Sequence, residues 1–276
     1  MRHPPKIAAR GRRHVLICLS VILLAGLCFA GTTSASPDAQ RLNDLLQRTA
    51  DQTAGFLDQF SDVKCTEQVR QEKLGKDDKV ELKEESTYDY LVILTSAGGE
   101  LNLSESRIPV KDAKRDHKNT SMLLSNGFAT LFLVFHPYYS QAFTFTLAGE
   151  ESIGGRVLQK INFEHIPGMK SPAALALRGR EYPLELAGTA WIDPQTGSIA
   201  KIEAGIADTL QDVGLKALSS EIDFAPLPFP DSKQVYWFPT QARVEVETPR
   251  QHWRNLHQFT AYKKFSVSTE EQVIQK

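Results

Sequence analysis

With 276 residues, 41% of them hydrophobic and 24% charged, the chain can bury a sizeable core and is too apolar to stay disordered. Its formal net charge of −1 becomes −6 once the five basic residues of the first 35 are set aside. That balance excludes the basic face with which a nucleic-acid partner is held.

Arg2, Lys6, Arg10, Arg12 and Arg13 precede an apolar run from Val15 to Ala30, and small residues follow through Ser36. A basic head, a short apolar body and a small-residue exit describe a secretory signal peptide over residues 1–35, cleaved after Ala35. An uncleaved membrane anchor is the alternative. The leader predicts export, to a periplasm or to the exterior, with residues 36–276 as one domain. Cys18 and Cys28 leave with the leader, so Cys65 stands alone and no intramolecular disulfide can form. It reads as a small core residue.

From Asp38 to Leu57, Leu42, Leu45, Leu46, Thr49, Ala50, Thr53, Phe56 and Leu57 recur at steps of three and four, after the start signal Ser36-Pro37. This predicts an amphipathic helix packed on a sheet. Two long strands follow. Val63, Cys65, Glu67 and Val69 alternate with polar residues, and after the turn Gly75-Lys76-Asp77-Asp78 the alternation resumes through Tyr88, Tyr90, Val92 and Leu94. A twelve-residue arm runs roughly 40 Å at about 3.3 Å per residue. Arms of that length belong to a strongly curved sheet or barrel. Leu101 to Ile108 predicts a further strand, and the mixed charges of Lys111 to Lys118 a solvated loop.

A second helix is expected from Thr120 or Ser121 to Phe135, where Leu124, Phe128, Leu131, Phe132 and Phe135 form one stripe and Met122, Leu123, Ala129 and Val134 make the other sides apolar too. It is too short to cross a bilayer, which takes about 20 residues, so protein or a ligand must enclose it. The remainder reads as an antiparallel meander: Phe143 to Leu147 with Val157 to Phe163, a loop from Ile166 to Tyr182, then a hairpin over Gly188 to Gly205. Asp193-Pro194-Gln195-Thr196-Gly197 reverses that hairpin, Pro setting φ early in the turn and Gly accepting a positive φ. Asp208 to Leu215 is a short helix or irregular crossing, Pro226 to Pro230 a rigid bend, and Ala217 to Phe224, Val235 to Glu247 and Leu256 to Val267 complete the sheet. The fold class is mainly β: a curved antiparallel sheet or open half-barrel wrapped around helices.

Trp191-Ile192-Asp193-Pro194-Gln195-Thr196-Gly197 followed by Lys201-Ile202-Glu203, together with Tyr236-Trp237-Phe238-Pro239-Thr240 before Val244-Glu245-Val246, resembles the LolA/LolB-type lipoprotein carriers and the RseB/MucB sensors of the same superfamily. The resemblance implies an open β half-barrel around helices, an apolar cavity for acyl chains, and a lipid or acylated protein as partner in the envelope. No membrane-insertion loop of the receptor-type members is evident. Set in such a half-barrel, Leu124, Phe128, Leu131, Phe132 and Phe135 face a cavity whose opposite wall includes Trp191 and Trp237. A module for binding another envelope protein, with the same fold and a packed core, is the rival.

A nucleophile elbow, a phosphate loop, a His-Glu-x-x-His helix and a dinucleotide fingerprint are absent from the sequence. No catalytic residue, metal ligand or cofactor site is assigned, and the protein is expected not to be an enzyme. His252 and His257 are read as surface or hydrogen-bonding residues, Glu84-Glu85 and Glu150-Glu151 as solvated edges. N-terminal sequencing of the exported protein is expected to begin at Ser36, and denatured protein to take up one equivalent of thiol label, at Cys65. Recovery of Met1 would refute the cleavage.

Overall fold

The computed structural model describes residues 36–60, 63–97, 100–110, 128–177, 180–208, 210, 214–229 and 235–264. The leader, the charged stretch from Lys111 to Lys118 and the expected helical residues before Phe128 lie outside these.

Helix α1 (Pro37–Phe60) begins where Ser36-Pro37 directs, with the Ala39 amide donating to Ser36 Oγ at 3.2 Å. Leu45, Thr49, Thr53, Phe56, Leu57 and Phe60 form its buried stripe. The helix outruns the expected end because Phe60, one turn beyond Phe56, continues that stripe.

Ten strands make one antiparallel sheet. The first half comprises β1 (Val63–Leu74), β2 (Val80–Ala97), β3 (Glu100–Pro109), β4 (Phe143–Ile153) and β5 (Arg156–His165). A two-stranded hairpin, β6 (Ala174–Leu177) with β7 (Arg180–Pro183), interrupts the loop that was expected to be irregular; alternating Ala and Leu gives it little strand signal. Then come β8 (Leu186–Ile192), β9 (Ile199–Ile206), β10 (Ala217–Leu227), β11 (Tyr236–Glu247) and β12 (His252–Lys264). The order across the sheet is β3-β2-β1-β12-β11-β10-β9-β8-β5-β4. Strand β12 returns to lie beside β1, from Val63 opposite Lys264 to Leu74 opposite His252. The sheet curves as a half-barrel and does not close, leaving β3 and β4 as its edges.

The chain passes from one edge to the other through a short helix α2 (Phe128–Leu133) and a 3₁₀ turn at Ser140–Ala142. Tyr139 Oη lies 3.5 Å from the Leu101 carbonyl oxygen, so this crossing touches β3 just before it enters β4. Helical geometry ends at Leu133, two residues before the expected end. The expected bend at Pro226 is also displaced: β10 continues through Pro226, which pairs with Trp237, to Leu227. Pro239 in β11 sits where the register shifts, between Asp223 and Phe224 of β10, a place where a strand tolerates a missing donor.

One continuous row across the sheet, Val69, His257, Ala242, Ile222, Ile202, Ala190 and Ile161, faces the helices. The hairpin turn is anchored to that side. Asp193 Oδ1 accepts the amides of Gln195 and Thr196 at 2.9 and 3.0 Å, and the Pro194 carbonyl accepts Arg48 Nη2 of α1 at 3.1 Å. Gly197 has φ +76°, and a Cβ there would lie 2.6 Å from the Arg48 carbonyl carbon. Gly197→Ala should therefore lose about 1–3 kcal/mol in urea denaturation, and Gly197→Val no less. Gly154→Ala, also at positive φ but with no atom within 4 Å, should lose less. Equal losses would mean that the approach of turn to helix carries no weight.

Candidate functional site

The helix side of the sheet is an aromatic interior. Phe132 stacks on Phe56 at 4.6 Å between centroids and meets Phe224 edge-on at 4.7 Å; Phe56 is 5.3 Å from Phe238. Phe135 packs against Phe145 and Phe163 at 5.4 and 5.8 Å. Leu131, Phe132 and Phe135 are all buried. The void that Phe132 shares with Trp237 measures about 20 Å³, also bordered by Thr53, Phe56 and Ile199. That is room for about one water molecule. Leu124 lies outside the described residues, and so does the side chain of Phe128.

Trp191 does not join this interior. Ala190 and Ile192 point toward the helices, so the strand's period of two turns Trp191 to the other face. There it packs with Leu158, Ala200 and Trp237, donates Nε1–H to Glu151 at 2.9 Å, and has Lys160 and Lys201 each 5.2 Å from its ring centroid. Trp237, half-buried at the rim, touches both clusters and carries the Arg156 guanidinium 4.8 Å above its ring.

A buried charge cluster went unnoticed in the sequence. Arg107 of β3 reaches across Tyr90 of β2, its guanidinium 4.9 Å from that ring, to Glu67 of β1. It binds the carboxylate with two donors, Nε at 2.5 Å and Nη2 at 2.9 Å, and turns Nη1 to Glu105 at 3.0 Å. His257 of β12 adds Nδ1 at 2.8 Å from Glu67 Oε1; it is the donor, because an ionised carboxylate only accepts. The Glu67 side chain is 0% exposed and that of Arg107 6%. Burial alone pushes the Glu67 carboxyl up, but the hydrogen bonds from His257 and Arg107 and the guanidinium charge outweigh it, leaving it below the ordinary carboxylate range. Glu67 stood in the inward alternation with Val63, Cys65 and Val69, the one signal that could have exposed it. Cys65 beside it is buried, and burial pushes its thiol up to about 12. Among the described residues no three His, Cys, Asp or Glu side chains gather as metal ligands would.

The helix-free face is polar. One row of neighbours reads Thr87, Gln68, Gln258, Gln241, Asp223, Lys201 and Trp191 across seven strands, from β2 to β8. The next row on the same face places Leu256 between Arg70 and Arg243, flanked by Glu85 and Glu221. The first row from Thr87 to Asp223 and the whole of the second line a trough of about 630 Å³, and another of about 380 Å³ lies over β8, β9, β10 and β11.

The described residues thus form a curved antiparallel sheet with α1 and α2 packed on one face and, among those residues, no helix on the other. No family model and no curated protein matches the chain. Similar solved structures include a DUF1329 family protein from Desulfovibrio piger (TM-score 0.43, 11% identity, 83% of this chain and 94% of that one) and an outer membrane lipoprotein-sorting protein domain from Vibrio parahaemolyticus (0.44, 9%, 82% and 94%). The MucA/MucB complex of Pseudomonas aeruginosa is similar over 81% of this chain and 99% of that one, at a TM-score of 0.22 and 11% identity. The assignment of the fold rests on the sheet topology above.

Removing one member of a buried ion pair strands its partner, at about 3–5 kcal/mol. Glu67→Gln should cost that order of stability at neutral pH. Because the folded carboxyl lies below its unfolded value of about 4.3, its contribution is present above that pH and is lost as pH falls through the folded value. Urea midpoints of wild type and Glu67→Gln should therefore converge on acidification. A gap constant from pH 7 to below pH 3 would refute the assignment.

Proposed function

We propose that this chain is an exported, non-enzymatic binding module of the bacterial envelope, which engages its partner outside a packed interior. The carrying observation is the aromatic packing between helices and sheet. Phe56 lies directly on Phe132 and Phe238, and the void beside them, about 20 Å³, has no room for an acyl chain. The order of residues in the leader supports export. A lipid carrier built on this fold would have to lift α1 or α2 from the sheet and separate those rings, at about 0.5–1.5 kcal/mol per aromatic pair beyond the apolar area exposed.

The test is protein purified from its native compartment. Organic extraction should yield no stoichiometric lipid, and a fluorescent fatty acid should show no saturable uptake. Phe132→Asp should unfold the protein, since a carboxylate would be left unpaired among Phe56, Phe224 and Leu131. Saturable uptake by wild type, abolished in a folded Phe132→Asp, would establish the carrier instead.

A further inference from the structure

On the helix-free face the trough over β1, β12, β11 and β10 combines exposed side-chain amides with charges that already have partners. Arg70 pairs with Glu72 at 3.0 Å and Arg243 with Glu245 at 2.5 Å. Glu221 holds Lys201 at 2.5 Å, Glu85 holds Lys83 at 2.7 Å, and Asp223 accepts Gln241 Nε2 at 2.7 Å. The lining charges, Arg70 and Arg243 among Glu85, Glu221 and Asp223, are of both signs and interleaved, so the trough presents no single-sign field to an ion. The capacity left over is that of hydrogen bonding: Gln68, Gln258 and Gln241 stand side by side on adjacent strands, each amide able to donate and accept, with Thr87 at one end of their row. Leu256, half-buried between the two arginines, supplies an apolar patch in the next row.

From this we infer that the trough is a binding site for a neutral, polyhydroxylated ligand, a short oligosaccharide. The inference rests on the binding-module reading above and names its ligand class. Hydroxyl groups both donate and accept, as the amides do, while the C–H face of a sugar ring suits Leu256. The spacing agrees as well. Neighbouring amides in the row are one strand apart, about 4.8 Å, a distance comparable to the span of one pyranose unit. An extended peptide presents same-face side chains about every 6.6 Å and would fall out of step with that row. The volume of about 630 Å³ is that of a small-ligand site and accommodates two or three sugar units.

The experiment is a titration of ¹⁵N-labelled protein with maltotriose, cellotriose and triacetylchitotriose, reading the glutamine side-chain amides. At least one sugar should produce saturable shifts at Gln68, Gln241 and Gln258. Gln241→Ala/Gln258→Ala, two exposed positions whose loss spares the core, should weaken binding about tenfold. Affinity should hold when salt is raised to about 1 M, where charge attraction is screened. Three outcomes overturn the inference: silence with all three sugars, shifts that survive the double variant, or tighter and salt-sensitive binding of an anionic sugar or a charged peptide. The fatty-acid assay reads the interior and leaves these resonances alone. Uptake there refutes the packed interior, whereas a silent trough refutes the sugar site and leaves the packed interior standing.

Discussion

The curvature of the sheet is held by the rings on the last turn of α1. Phe56 touches Phe132 of α2 and Phe238 of β11; Phe60 lies 5.1 Å from Phe56 and also meets Tyr90 of β2, Phe238 and Tyr262 of β12. Two side chains one turn apart thus tie together strands that are not neighbours. Sheets of more than a few strands twist and curl by backbone sterics, and here the helix fixes the amount. The inner row carries small side chains at Ala190 and Ala242, both buried in the core.

The elements that were legible in the sequence are those whose chemistry is local. Ser36-Pro37 starts a helix, and Asp193 to Gly197 makes a turn by an Asx hydrogen bond and a positive φ, whatever the rest of the chain does. What escaped depends on which groups meet across strands. Alternation puts Trp191 on one face of β8 but does not say which face the helices cover. Glu67 finds Arg107 at a separation of 40 residues and His257 at 190, through a sheet order in which the last strand returns beside the first. The row of three glutamines has the same origin, each sitting in a different strand as an ordinary outward residue.

The two faces solve opposite problems with similar residues. On the inner face Glu67 and Arg107 are cut off from water, so their geometry must satisfy nearly every donor and acceptor; such pairs add little net stability over an apolar filling but penalise any alternative register. The edge strand β3 is fixed by this, since a one-residue slip would turn Arg107 outward. On the outer face the ion pairs are hydrated and worth little individually. They neutralise the surface while leaving it wet, and so prevent seven adjacent strands from forming an apolar sheet face that would stick to other chains.

Cys65 has a consequence of its own. Burial pushes its thiol up to about 12, so at neutral pH it stays protonated, and only the thiolate attacks a disulfide. The sulfur is also buried in the core. Mixed disulfides with oxidants or oxidised neighbours must therefore wait for the strands around β1 to open. Among the described residues Cys65 is the one thiol, and while the strands around it stay closed it offers no handle for thiol exchange.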